Sequence, residues 1–235
     1  MAEVSLLNVE NLEAWYGESH VLHGVSFNVR KGEVVTLIGR NGAGKTTTLR
    51  TLIGVVGKRR GSTSFKGVDL LKVAPHKVAR LGMGYVPEER GIFSSLSVIE
   101  NLTFPPAWQA GGMAVDEIYS LFPNLKGRDN TPGTRLSGGE QQMLAIARIL
   151  RTGADFILLD EPTEGIAPVI IEEIGSALRV LKDRGMTIIL VEQNLRFAAS
   201  IADRHFVLDQ GKVVDEISNS ALDANMDRLN RYLGV

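Results

Sequence analysis

Short apolar runs bounded by charged or turn residues recur along this chain. Glu33 to Ile38, Asp155 to Asp160 and Met186 to Val191 carry apolar residues in near-continuous order. Such runs predict strands covered on both faces, as in a parallel sheet. Val25-Ser26-Phe27-Asn28-Val29 alternates instead, which predicts an antiparallel strand with one wet face. Val4 to Val9 and Asn11 to Tyr16 read as two short strands before it. Ser62 to Phe65 reads as a strand after a glycine-rich loop, and the basic cluster Lys58-Arg59-Arg60 in that loop as a solvated face. Gly82 to Val86 predicts a strand that stops at Pro87. Phe206 to Leu208 and Lys212 to Val214 flank Asp209-Gln210-Gly211 as a hairpin.

Helical periodicity appears elsewhere. Thr46 to Ile53, Val78 to Leu81, Leu96 to Leu102, Val115 to Phe122 and Asn194 to Ala202 read as helices. Met143, Leu144, Ile146, Ala147 and Leu150 give one apolar side between Leu136 and Thr152. Ile170, Ile174, Ala177 and Leu181 give another between Pro168 and Arg184. The tail from Ala221 to Leu233 reads as amphipathic helix. Between Glu88 and Arg135 no strand is convincing, and Pro105-Pro106, Gly111-Gly112 and Pro123 punctuate helices. That texture predicts a helical insertion in an α/β chain.

Composition narrows the function classes. The chain has 235 residues, 44% of them hydrophobic, which suits one large domain. Its net charge of −1 gives no general affinity for polyanions, so nucleic acid is not the expected partner. It has no cysteine, which removes disulfides, thiolate metal sites and thiol nucleophiles together. No signal peptide is visible, and no apolar run nears the roughly 20 residues needed to span a bilayer. A soluble protein is expected, reaching any membrane through a partner.

The chemistry is concentrated in a few short stretches. Gly39-Arg40-Asn41-Gly42-Ala43-Gly44-Lys45-Thr46 fits G-x-x-x-x-G-K-[ST], the phosphate-binding P-loop. Gly42 and Gly44 let successive N–H groups turn inward toward an anion. Lys45 can reach the β- and γ-phosphates, and Thr46 offers a hydroxyl to Mg²⁺. A strand precedes the motif, and the helix that follows, with Thr47 in its first turn, adds its dipole. Asp160 at the end of its strand can hold Mg²⁺ through the water shell. Glu161, next to it, can polarise an attacking water. Leu136-Ser137-Gly138-Gly139-Glu140-Gln141-Gln142 offers either an ordinary helix cap, with Ser137 and Glu140 closing a capping box, or a second anion site.

In this order and spacing, the P-loop, Leu-Ser-Gly-Gly-Glu-Gln-Gln and Phe-Ile-Leu-Leu-Asp-Glu-Pro-Thr resemble the motif set of ABC ATPases, over essentially the whole chain. The resemblance implies an α/β fold: a P-loop NTPase core of mostly parallel sheet, with an antiparallel β part and a small helical subdomain. The implied division is residues 1–87 and 153–220 for the core, 88–152 for the helical subdomain and 221–235 for a C-terminal helix. It also implies ATP and Mg²⁺ as ligands and a head-to-tail dimer. In that dimer Ser137, Gly138 and Gly139 contact the nucleotide held by the partner's P-loop. Tyr16 matches the aromatic that stacks on adenine, with Trp15 as its rival. Glu164 to Ala167 matches a dimer-contact loop, and the helical insertion the part that docks on membrane subunits.

Two positions depart from the usual family pattern. Glu88 stands where a glutamine senses Mg²⁺ and the attacking water. Gln193 stands where a histidine meets the γ-phosphate, and an amide cannot carry positive charge. These departures imply a weakened hydrolytic site on this chain's own P-loop, paired with an unlike ATPase. Tyr-Val-Pro-Glu-Glu-Arg, Glu-Gly-Ile-Ala-Pro and Val-Glu-Gln-Asn are similar to an ATP-binding subunit of branched-chain amino acid importers. The urea and short-chain amide importers carry a similar subunit. The resemblance therefore implies two permease subunits, a second ATPase, a periplasmic solute-binding protein and a place on the cytoplasmic face of the inner membrane. The alternatives are a nucleotide-dependent clamp that hydrolyses poorly and a soluble ABC protein of repair or translation.

Overall fold

A computed structural model of the chain describes residues 5–233. Val4 of the first expected strand, and residues 1–3 and 234–235 of the expected domain spans, lie outside the described residues.

Two sheets organise the chain. The smaller is antiparallel and contains β1 (Ser5–Tyr16), β2 (Ser19–Arg30), β4 (Lys58–Phe65) and β5 (Val68–Asp69), in the order β2-β1-β4-β5. The larger has the order β10-β9-β3-β8-β7-β6. Its strands are β3 (Val34–Ile38), β6 (Met83–Val86), β7 (Phe156–Asp160), β8 (Thr187–Val191), β9 (Arg204–Asp209) and β10 (Lys212–Ser218). All pairs in it are parallel except β9 with β10, which form the expected hairpin.

The helices are α1 (Lys45–Leu52), α2 (Pro75–Val78), α3 (Val98–Thr103), α4 (Val115–Leu121), α5 (Gly138–Arg151), α6 (Pro168–Asp183), α7 (Leu195–Ala199) and α8 (Met226–Leu233). No helix among the described residues is long and apolar enough to cross a membrane.

The continuous apolar runs have the cause expected of them. On β7, Ile157 and Leu159 point to a core shared with α5 and α6, among them Ile146 and Leu178. Phe156 and Leu158 point the other way, to a core shared with the antiparallel sheet and α1. Strand β8 divides likewise, with Ile188 and Leu190 on one side and Ile189 and Val191 on the other. Apolar burial on both faces leaves no polar position between the strand ends.

Three expectations need correction. The two short N-terminal strands are one strand, β1. The apolar positions Leu7 and Val9 change parity at Leu12 and Ala14, which reads as a break. A β-bulge absorbs the change, with register shifting between Val9 and Leu12 and Asn11 at φ 48°. Both halves thereby bury the same face. The cluster Lys58-Arg59-Arg60 is not loop but the first part of β4, paired with Trp15, Ala14 and Glu13. Lys58 and Arg60 are exposed, as a solvated face requires, while Arg59 is half-buried. Arg59 donates to the Val56 carbonyl at 2.9 Å, and Arg60 pairs with Glu13 at 2.7 Å. The C-terminal tail is two short 3₁₀ turns followed by α8, rather than one helix from Ala221.

A buried histidine ties the large sheet to this tail. His205 on β9 has no exposure. Its Nδ1 lies 2.7 Å from the Thr36 hydroxyl and its Nε2 3.0 Å from Asn219 Oδ1. The neutral ring satisfies both contacts when Nε2–H donates to Asn219 and Nδ1 accepts from Thr36. Burial pushes its pKa below the ordinary histidine value of 6.5, against the opposing hydrogen bond to Asn219. The unfolded chain therefore binds this proton more readily, and stability falls as pH drops through about 6.5. Denaturant midpoints at pH 7.5 and 5.5 should separate more for the native chain than for His205→Gln. Equal separations would remove His205 as the source.

Candidate nucleotide site

The P-loop crosses from the C-terminal end of β3 to the N-terminus of α1. Gly44 is the cap of α1 at φ 105°, and Gly42 has φ 81°. A Cβ on Gly44 would lie 2.8 Å from the Leu22 side chain, so glycine is required there for conformation and for space. The β9–β10 turn supports the loop from below: the Gly211 N–H donates to the Ala43 carbonyl at 2.9 Å.

A cavity of about 300 Å³ opens over this loop. Asn41, Gly42, Gly44, Lys45, Thr46 and Thr47 form one wall. Glu88, Glu161, Glu164 and Gln193 form the other. Gly39, Arg40 and Ala43 belong to the loop but do not line the cavity. The Lys45 ammonium donates to the carbonyls of Gly39 at 2.8 Å and Arg40 at 3.2 Å, and lies 3.7 Å from Glu161. The Arg40 guanidinium turns outward and donates to the Tyr232 carbonyl of α8 at 3.1 Å.

Behind the loop lies Asp160, with no exposure. One of its oxygens accepts from the Thr46 hydroxyl and the other from the Tyr85 hydroxyl, each at 2.9 Å. Burial pushes its carboxyl above the usual range, and these two donors oppose the shift. The Tyr85 phenol is pushed up as well, by burial first and then by the Asp160 charge. From sequence Tyr85 reads as a strand residue and as the start of Tyr-Val-Pro-Glu-Glu-Arg, with nothing to signal its bond to Asp160.

Glu161 follows with φ 47°, a left-handed conformation that a residue with a Cβ adopts at a cost. Its N–H is held by the Val191 carbonyl at 3.0 Å. Its carboxylate accepts from the Gln193 amide at 2.6 Å. Glu164 lies close by, its carboxyl raised chiefly by a hydrogen bond shared with Glu161. Glu88, Glu161 and Glu164 thus face Lys45 across one cavity.

The remaining expected residues lie elsewhere. Tyr16 ends β1 and is 45% exposed. Trp15 is the less available ring. It stacks on His20 at 4.2 Å between centroids, with Arg60 5.3 Å and Lys58 5.7 Å from its centre. Ser137, Gly138 and Gly139 begin α5 and do not line the P-loop cavity. The capping box is closed. Glu140 N–H donates to the Ser137 hydroxyl at 3.3 Å, and Ser137 N–H to the Glu140 carboxylate at 2.7 Å. Gly139 also has a reason within the chain: a Cβ there would meet Ile170 of α6 at 2.5 Å.

Comparison with known proteins agrees with this geometry. The family described as "ABC transporter" matches residues 22–164. The chain is 40% identical over 232 residues to the high-affinity branched-chain amino acid transport ATP-binding protein BraG of Pseudomonas aeruginosa, covering 97% of this chain and 100% of BraG. It is 35% identical to the lipopolysaccharide export system ATP-binding protein LptB of Haemophilus influenzae, covering 90% of each. It is 33% identical to the probable branched-chain amino acid transport ATP-binding protein LivF of Archaeoglobus fulgidus, covering 88% of this chain and 90% of LivF. A solved ATP-binding subunit of an ABC transporter superimposes with a TM-score of 0.78 at 30% identity, covering 97% of this chain and 95% of that one. A nucleotide-free cassette of an ABC transporter has the same fold, with a TM-score of 0.82 at 23% identity and 97% of each chain covered. P-loop, buried Asp160 and the Ser137-Gly138-Gly139 start of α5 thus occur together in a chain whose relatives match it nearly end to end: it belongs to the ABC transporter family and is an ATP hydrolase of that family.

Proposed function

We propose that this chain is an ATP-binding and hydrolysing subunit of an importer for branched-chain or other hydrophobic amino acids. The observation that carries this reading is the 40% identity to BraG over 97% of this chain and the whole of BraG, with LivF as a second relative of like name. In this reading the chain sits at the cytoplasmic face of the inner membrane. It pairs head to tail with a second, non-identical ATPase and docks on two permease subunits. A periplasmic binding protein delivers the solute. The related urea and short-chain amide importers are the alternative within the same class.

The core then comprises residues 1–87 and 153–220, the helical subdomain 88–152, and the segment from 221 onward the part that carries α8. A cleft of about 320 Å³ between core and helical segment supports the docking role. Val55, Pro105 and Trp108 line it. The exposed pair Phe93 and Phe104 stacks edge to face at 5.0 Å in the same helical segment.

At the nucleotide, Lys45 and the backbone of Gly39 to Thr47 bind phosphates. Lys45 exchanges its two carbonyl partners for phosphate oxygens. Tyr16 stacks on adenine, and Ser137, Gly138 and Gly139 contact the nucleotide of the partner. The donor set fits magnesium: the Thr46 hydroxyl and the Asp160 carboxylate are hard oxygen ligands already hydrogen-bonded to each other at 2.9 Å. No cluster of three histidine or carboxylate ligands occurs among the described residues. Phosphate oxygens and water would supply the remaining ligands of a bound ion, with Glu88 on the same cavity. When bound, the ion neutralises phosphate charge. Glu161 takes the proton of the attacking water, and Gln193 orients that carboxylate through the 2.6 Å hydrogen bond. ATP binding closes the dimer and hydrolysis reopens it, which biases the membrane subunits between two states.

Two measurements test this. Glu161→Gln should lower ATP turnover about 10²–10⁴-fold while leaving ATP affinity within a few-fold. Unchanged turnover opposite an unaltered partner would favour the clamp that binds without hydrolysing. Affinity purification of the full chain from membranes should recover two permease subunits and a second cassette. Recovery of lipopolysaccharide-export components, or of a repair or translation complex, would overturn the importer reading.

A further inference from the structure

Glu192 is a buried carboxylate that the nucleotide chemistry above does not use. It follows β8 directly and is 3% exposed. It appears in none of the ion pairs found among the described residues. Its compensation comes from four hydrogen bonds instead. Oε1 accepts from the Thr163 N–H at 3.2 Å and the Thr163 hydroxyl at 2.7 Å. Oε2 accepts from the N–H groups of Gln193 at 3.1 Å and Asn194 at 3.2 Å. Each oxygen takes two donors, which is the full capacity of a carboxylate.

The two donor sets belong to different loops. Thr163 is in the loop after β7, two residues beyond Glu161. Gln193 and Asn194 are in the loop after β8. Asn194 in turn caps α7 through the Phe197 N–H at 3.1 Å. The same two loops meet a second time at the cavity, where the Gln193 amide donates to Glu161. The buried link crosses between the loops by the two Thr163 bonds, while two more fix the carboxylate to its own loop; the other link is exposed and made of one bond. A single side-chain hydrogen bond in water is easily exchanged, and its geometry depends on what holds the backbone beneath it.

We infer that Glu192 is a positioning residue, whose carboxylate clamps the loop after β8 to the loop after β7 and so holds the Gln193 amide against Glu161. The residue type matters. A glutamine at 192 would present an NH₂ group to one of two donor sets, where only an acceptor fits. The role deepens the proposed site and rests on Glu161 and Gln193 acting together there.

The test is a double-mutant cycle on ATP turnover by the full-length chain with magnesium, using Glu192→Gln and Gln193→Ala. Glu192→Gln should lower kcat at least fivefold with KM for ATP changed less than twofold. In the Gln193→Ala background the same substitution should change kcat less than twofold. Hydrogen exchange without nucleotide should quicken across residues 192–195 in Glu192→Gln and stay unaltered in β7 and β8. Should Glu192→Gln fail to fold, Thr163→Val removes one donor from the same carboxylate and takes its place in the cycle. An equal loss of kcat with and without Gln193, or no loss at all, overturns the inference alone. Turnover untouched by Gln193→Ala overturns the catalytic reading of Gln193, and this inference with it.

Discussion

Burial of the parallel sheet on both faces is the constraint from which the rest follows. Strands β3, β8, β7 and β6 lie side by side in that order, and β3, β7 and β8 are buried at every position. Side chains of such strands can do little except pack. Chemistry is left to the strand ends, where the chain emerges from apolar cover. The four C-terminal ends supply the P-loop, Gln193, Asp160 with Glu161, and Glu88. Four segments distant in sequence therefore share one cavity because their strands are neighbours.

The two buried carboxylates at this edge, Asp160 and Glu192, are held by hydrogen-bond donors rather than by ion pairs. Asp160 is satisfied by Thr46 and Tyr85, and Glu192 by Thr163 and its own loop. Both carboxylates are pushed up by burial and held down by their donors. A buried polar group is tolerated only with its partners in place, so each arrangement also fixes the loops that provide them. The strained backbone at Glu161 is maintained in this way, between the Val191 carbonyl and the Gln193 side chain.

The helical segment connects to the same edge. Arg90, two residues after Glu88, donates to the Gln141 side chain in α5 at 3.0 Å. The Gly91 carbonyl accepts from Arg148 of the same helix. The loop that carries Glu88 to the cavity is thus tied to α5, and a shift at one is felt at the other.

Much of this was legible without coordinates. Continuous apolar runs marked β3, β7 and β8, because burial on two faces leaves its trace at every position. The P-loop and the Asp160-Glu161 pair were legible because their chemistry is local: consecutive residues supply what the phosphate needs. Local periodicity failed where long-range pairing overrode it. The bulge at Asn11 mended a broken alternation, and pairing with β1 drew Lys58 to Arg60 into a strand. Glu192 gave no sign of its role: it belongs to the Val-Glu-Gln-Asn stretch that carries the resemblance, but a glutamate beside a strand reads as the first polar residue of a loop. Only the adjacency of β7 and β8 put Thr163 within reach and turned it inward. Sequence by itself determined which residues could bind a nucleotide; the tertiary structure decided which of them meet, because strand order is set by packing and not by position in the chain.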